Sequence, residues 1–430
     1  MSTTFYLVAA VVVAAAWLTW AGLKPSPKLD IPHVQFEGDN SMASYKALTL
    51  MALAQSNLLT VVGGPTMNFE VTRMVRLKVN RALKDLVEPL HDECLFAWNK
   101  VVPACPDWTP VTLYPILTQL FARIAARVMV GPELCRNDEW LGLALSYTEV
   151  SMKAIRGVRA RFPPALRFLA QYLDSNTQAV LRLRRRAAEM LSPYLETRRS
   201  DSDRGQSEDA LQWLLDTYES RKKTLSPDQL AQDEFILNVA SISSSAAVAL
   251  SIIYDMIDHP DTLQEIRDEI SRVHKEHHAW TRASLNSLLL LDSFMKESLR
   301  VHTLQQYGFQ LPAGTNISFA SQQVNLDDDV YPDAQTFDAK RFLRKRENID
   351  PNKFHFASVS DDSIIFGAGF HACPGRFLAQ DVLKLMLIQL LTRYDFKLAG
   401  ESQHRPRDTA YNFSVMPNMG AQLLMKEKPL

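Results

Sequence analysis

The stretch Phe366 to Gly375, FGAGFHACPG, constrains this chain more than any other. Glycine accepts positive φ and sets no side chain against a neighbour, so Gly367, Gly369 and Gly375 predict a loop that turns sharply or lies against a flat group. Pro374 stiffens the residue after Cys373 and deletes one amide donor, leaving the amides of Gly375 and Arg376 to point at the sulfur. A lone cysteine reads as a buried, inert thiol. The glycines and backbone donors around it are equally the features that a thiolate ligand to haem iron needs, a ligand that pushes electron density toward O–O cleavage on the opposite face. Cys373 is the candidate metal ligand.

Phe366, Gly369, His371, Cys373 and Gly375 together match the pattern FxxGx(H/R)xCxG. On these residues the chain resembles the cytochrome P450 family, and the likeness runs on through PGRFLA into a helix-like stretch from Leu378 to Leu391. The resemblance implies haem b with Cys373 as its axial thiolate and Phe366, Gly367 and Gly375 around the sulfur. It assigns His371, where many members carry arginine, to a haem propionate. Imidazole donates to a carboxylate, but its charge depends on pH as that of arginine does not.

Upstream, Glu297 and Arg300 in KESLR stand three apart on a predicted helix from Leu288 to Val301, so their side chains share a face. An exposed pair of that spacing contributes little. Arg341, in YPDAQTFDAKRF, resembles the second arginine of the family's Glu-Arg-Arg cluster. Glu297, Arg300 and Arg341 are therefore expected to form a buried structural charge set near the cysteine loop, in which loss of one partner strands the others.

Phe235 to Ile257 predicts a long helix, apolar on nearly every face and hence buried on all sides. The resemblance places it across the distal face of the haem. Small residues from Ala240 to Ala247 leave room for substrate and oxygen, and hydroxyls relay protons. Where the family has (A/G)GxxT, this chain puts Ser244 at the threonine position and Ser243 at the position of the preceding acid. Ser243 and Ser244 are the catalytic candidates. For Ser243 and Ser245 the alternative is a hydroxyl bonded back to its own helix.

The N-terminal end carries a different pattern. Phe5 to Leu23 holds no charge, and its roughly 19 residues reach about 28 Å as a helix, near the thickness of bilayer hydrocarbon. Lys24 and Lys28 follow it, so residues 1–23 are expected to be a single-pass anchor with the rest cytosolic; a cleaved signal peptide is the rival reading. Residues 24–60 then form a Pro-containing hinge and a truncated N-terminal region, and 61–430 a haem-binding catalytic domain. The resemblance implies the endoplasmic reticulum membrane and an NADPH-cytochrome P450 reductase as electron donor. A cytosolic domain would not meet glycosylation enzymes, which discounts the sequons at Asn316 and Asn412.

Elsewhere the pattern is mainly helical. Arg73, Arg76 and Arg81 fall on a predicted helix where the family has one flanking the haem edge, and Arg76 is a candidate propionate partner although WxxxR is absent. Phe162 to Leu169 divides two helical patterns, with apolar residues suited to a membrane surface. Arg182, Arg184, Arg185 and Arg186 read as a solvated helix face, and Ser200 to Asp233 as an exposed loop with a short helix. Cys94, Cys105 and Cys135 are scattered, indicating neither disulfides nor zinc. Net charge is -1, which gives no reason to expect nucleic acid as a partner.

The expected fold is thus mainly α with small β-sheets, the cytochrome P450 fold behind one transmembrane helix. Two stretches, Pro32 to Pro65 and the segment after Arg300, are shorter than the resemblance leads one to expect. The implied function is haem-thiolate monooxygenation of a lipophilic secondary metabolite, terpenoid or meroterpenoid, with an ent-kaurene-oxidase-like flavour; Phe413, Val415 and Met416 suit such a pocket. Two alternatives stay open: a haem-thiolate isomerase or peroxygenase-like enzyme, and a truncated, inactive membrane-bound relative.

Overall fold

The structure is a computed structural model that describes residues 69–200, 208–303, 308–311, 315–318, 321–360, 363–367, 369, 372–400, 402, 404–411 and 414–429. The anchor and hinge expected over 1–60, together with His371, Asn412 and Phe413, lie outside the described residues.

Eleven helices of six residues or more carry the fold among the described residues. They are α1 (Phe69–Met74), α2 (Asn80–Val101), α3 (Leu113–Met129), α4 (Asp138–Arg161), α5 (Ser175–Arg199), α6 (Ala210–Ser220), α7 (Pro227–Asp258), α8 (Pro260–His277), α9 (Leu289–Val301), α10 (Arg341–Asn348) and α11 (Arg376–Arg393). A π-helical turn, Val75–Val79, joins α1 to α2. The central helix α7 starts with a strong local signal: Ser226 caps the amide of Gln229 at 3.2 Å, and Pro227 occupies the first turn, where its missing N–H costs nothing. It packs against α3, α4, α5, α9 and α11. Phe235 is wholly buried on α7, with the ring of Tyr147 stacked 4.1 Å away, centroid to centroid.

The strands are few and antiparallel. β7 (Gln422–Glu427) lies between β1 (Thr109–Thr112) and β4 (Tyr394–Leu398), pairing Val111 with Leu423 and Phe396 with Met425. Alternate residues of β4 are buried, the period-two pattern of a sheet with one face on the core. Two hairpins complete the set, β2 (Gly308–Leu311) with β3 (Thr315–Ser318) and β5 (Thr409–Tyr411) with β6 (Ser414–Met416). Asn316 lies on β3, and β2 begins close behind the end of α9.

Several expectations need correction. The long distal helix begins eight residues earlier than its apolar run, and it is not buried all round: Ala240 and Ser244, one turn apart, are exposed. Among the described residues it is the one helix long and apolar enough to cross a membrane, yet 61% of its most apolar window is buried, as in a core helix. The basic run is not merely solvated. Arg184 bonds Asp228 at 3.0 Å and Gln232 at 3.1 Å, tying α5 to α7, and Arg186 reaches Glu139 on α4 at 2.7 Å. α6 is not exposed, because Leu211, Trp213, Leu214 and Leu215 all face the core. Between α4 and α5 the chain forms a 3-10 turn, Pro164–Leu169, and Leu166, Phe168, Tyr172 and Leu173 are exposed.

A polar cluster fastens the segment before β5 to the C-terminal ends of α7 and α9. Arg405 bonds Asp255 at 2.7 Å and Asp408 at 2.8 Å. His302 lies between the same two carboxylates, with Nδ1 3.1 Å from Asp408 and Nε2 3.3 Å from Asp255. Burial and the Arg405 charge oppose a proton on His302, but the bonds to Asp255 and Asp408 prevail and raise its pKa. A histidine raised on folding stabilises fully below its unfolded pKa of about 6.5 and loses that contribution as pH climbs through the folded value. Thermal unfolding of His302→Gln should therefore fall below the parent by about 1.5–3 kcal/mol at pH 6 and converge with it in alkaline buffer; a gap that does not change with pH would contradict this.

Candidate active site

The cysteine loop is built by turns on one side and a helix start on the other. Gly367 and Gly369 have φ of 77° and 55°, the left-handed conformation that glycine adopts without strain. Gly375 is different: its φ is -91°, and a Cβ built on it would meet no heavy atom within 4 Å. Neither conformation nor protein contact demands a bare backbone there, which suits a position facing a flat ligand. The Cys373 amide donates to the carbonyl of Phe366 at 2.7 Å, closing the loop. Phe366 packs edge-on against Phe356, with centroids 5.2 Å apart.

Cys373 stands apart from the other three cysteines, which are buried, whereas it is half-exposed. Burial pushes Cys94 up to about 12 and Cys135 up to about 11, leaving inert thiols. Burial also raises Cys373, but here the Gly375 amide, the Arg376 charge and the Arg376 amide act in the opposite direction and favour the thiolate. Both amides open α11, where the helix dipole adds to the same effect. The donor set fits a metal-bound thiolate, since a coordinated cation supplies the charge that removes the proton. Arg376 also clips the loop, with Nη1 on the Cys373 carbonyl at 2.8 Å and Nε on that of Ala357 at 3.1 Å.

On the other flank, Asn80 at the start of α2 donates to the Pro374 carbonyl at 3.4 Å. Its side-chain oxygen is buried and has no partner. Arg76 is half-buried one turn earlier, inside the π-helical turn, a distortion that often marks functional segments. Arg73 is exposed.

The predicted charge set comes together. Glu297 and Arg300 are both 0% exposed and form a two-point pair at 2.7 and 2.8 Å. Arg341 reaches the same Glu297 oxygen at 3.1 Å, and the Asp338 amide donates to it at 2.9 Å. The remaining guanidinium protons go to backbone carbonyls: Arg300 to Asn325, Ala334 and Thr336, Arg341 to Pro332, Asp333 and Thr336.

Ser243 and Ser244 diverge. Ser244 is exposed and donates to the Ala240 carbonyl at 2.7 Å, which commits its proton and leaves its lone pairs open. Ser243 is half-buried beside Tyr114 of α3, whose phenol pKa is raised by burial while the Ser243 hydroxyl acts to lower it. The described loop thus brings Phe366, Gly367, Cys373, Gly375 and Arg376 together; the side chains of Asn80 and Arg376 carry roles that the motif alone does not flag.

Glu297→Gln should cost about 3–5 kcal/mol, the penalty for stranding buried guanidinium charges. Calorimetry is the check, and a loss below about 1 kcal/mol would show that the cluster is not structural.

Comparison with known proteins places this geometry. The model of the family described as Cytochrome P450 matches residues 73–425. Cytochrome P450 monooxygenase CYP2 of Pyricularia oryzae is 39% identical over 75% of this chain and 75% of its own length. Cytochrome P450 monooxygenase cheE of Chaetomium globosum is 36% identical over 87% of this chain and 76% of its own. Pyrichalasin C-7 hydroxylase of Pyricularia grisea is 33% identical over 86% and 77%. The structure titled retinoic acid bound cyanobacterial CYP120A1 superposes with a TM-score of 0.65 at 18% identity, covering 90% of this chain and 88% of that one, a likeness of fold.

Proposed function

The chain belongs to the cytochrome P450 family and is a cytochrome P450 monooxygenase; from that premise we propose that it oxidises a lipophilic secondary metabolite, of terpenoid or similar character, using electrons from an NADPH-dependent reductase. The observation that carries this reading is the loop that sets Cys373 at the start of α11, closed by its amide on the Phe366 carbonyl and clipped by Arg376 on its own carbonyl. We assign Cys373 as the axial ligand and His371 and Arg76 as propionate partners, with Glu297, Arg300 and Arg341 holding the scaffold. The family context supports an endoplasmic reticulum membrane setting, with residues 1–23 as anchor and the catalytic part in the cytosol. A relative named for hydroxylation at one position of pyrichalasin supports the metabolite class.

Haem bound here would supply dioxygen activation. The protein's own contributions follow from the geometry. The Gly375 and Arg376 amides would favour the charge of the Cys373 thiolate, and the Phe366 ring beside the loop is braced by Phe356. The exposed Ala240–Ser244 face of α7 lets an apolar molecule approach the helix backbone. With its own proton given to Ala240, Ser244 accepts a hydrogen bond from water and so orients a proton donor without being one.

Co-expression with a reductase and a panel of terpenoids should give an oxygenated product that requires NADPH. Product formed without NADPH would instead favour an isomerase or a peroxygenase, and a preparation that never takes up haem would favour an inactive relative. In the parent, the ferrous–CO complex should show the red-shifted band of a thiolate-ligated haem, and Cys373→Ala should abolish it; an unchanged band would remove Cys373 from the site. Ser244→Ala should cut product formed per NADPH by about tenfold, short of the loss expected for a direct proton donor. Equal yields in variant and parent would exclude Ser244 from proton handling.

A further inference from the structure

Residues 355–358 run alongside the cysteine loop as a strut whose polar backbone groups are claimed by two helices, α9 and α11. Lys296 of α9 donates to the carbonyls of His355 at 3.0 Å and Ser358 at 2.9 Å. The Ala357 amide goes to Gln380 of α11 at 3.2 Å, and its carbonyl takes Arg376. The Phe356 amide goes to Asp292 of α9 at 2.9 Å. Phe356 then meets Phe366, whose carbonyl accepts the Cys373 amide.

Asp292 does more than bind the strut. It is 1% exposed, and its second oxygen lies 2.7 Å from the ammonium of Lys384, itself 1% exposed and two turns into the helix that leaves Cys373. Arg346 of α10 joins the first oxygen at 2.8 Å. One carboxylate therefore holds the chain entering the cysteine loop and the helix leaving it, and is the direct partner of two buried cations. Nearby charges complete the picture. Asp381 lies on α11 a turn before Lys384, with Arg282 at 3.8 Å, and burial raises Asp381 to about 6. His355, 3.1 Å from Arg346, is kept neutral by burial. Burial opposes ionisation of Asp292, but Lys384 and Arg346 prevail and keep it ionised.

We propose that Asp292 is a positioning residue for the Cys373 thiolate, fixing both flanks of its loop so that the sulfur stays on the metal. The inference rests on the haem-thiolate reading and adds to it a residue outside the signature motif. Removing the charge while keeping the shape, Asp292→Asn, strands Lys384 and Arg346 and slackens both attachments, so the sulfur should leave the metal more readily.

The test uses the full-length haem protein and follows conversion of the ferrous–CO complex from its thiolate band to a non-thiolate band at fixed temperature. Asp292→Asn should convert about tenfold faster than the parent, the modest end of what an uncompensated buried charge does. Glu93→Gln is the control for lost stability, because its buried carboxylate pairs at 2.9 Å with the exposed Arg136 and so joins α2 to the turn after α3; it should convert within about twofold of the parent. Asp292→Asn/Lys384→Met removes one stranded cation and should restore most of the parent's persistence, also where the single variant yields no haem protein. Conversion of Asp292→Asn no faster than the control, or a paired variant no better than the single one, overturns the proposal. A parent without a thiolate band would overturn the haem-thiolate reading instead.

Discussion

Glu297 carries more of this architecture than any other side chain. Its carboxylate is out of water, shared between Arg300 and Arg341 and capped by the Asp338 amide. Such a group is costly to bury and tolerable only when every lone pair and proton has a partner. The structure meets that demand with loop carbonyls, so the irregular segment from Asn325 to Asp338 is specified by hydrogen bonds rather than by secondary structure. Apolar packing alone would leave such a segment free to choose among several conformations; the arginines select one.

From that fixed segment the order passes to the sulfur in short steps. α9 presents Glu297 to one loop and Lys296 and Asp292 to the strut beside the cysteine. The strut presents Phe356 to Phe366, and α11 supplies amides from its first turn. Each link is short and buried, so the reactive position inherits the rigidity of the core without being inside it. The sulfur stays half-exposed, as a ligand must be, while the three cysteines without this support are sealed in packing.

Much of this was legible in the sequence for a physical reason: the motif residues act through their local backbone. Gly367 and Gly369 need positive φ, Pro374 lacks a donor, and Glu297 and Arg300 share a helix face, all consequences of near neighbours in the chain. Asp292, Lys384 and Asn80 act across the fold, and nothing in their local pattern shows which loop they will meet. The same limit explains the arginines at 184 and 186, whose partners lie on other helices. It explains α7 as well, since an apolar run reports an affinity for the core but not the one face left open beside Ala240. Gly375 is the reverse case: neither its backbone angle nor a protein neighbour requires glycine there.

The π-helical turn Val75–Val79 sets a phase relation between two halves of one long rod. A π turn holds about one residue more than an α turn, and each residue of an α-helix advances the side chains by about 100°. Everything before Val75 is thereby rotated about a quarter-turn or more from where a regular helix would place it, while Asn80 keeps its hold on Pro374. Arg76 lies inside the distortion, so its azimuth depends on that surplus residue. Relatives of this chain that differ by one residue here would present a different side chain to the same place, making the turn a mechanical means of changing what borders the cysteine loop without altering the loop itself.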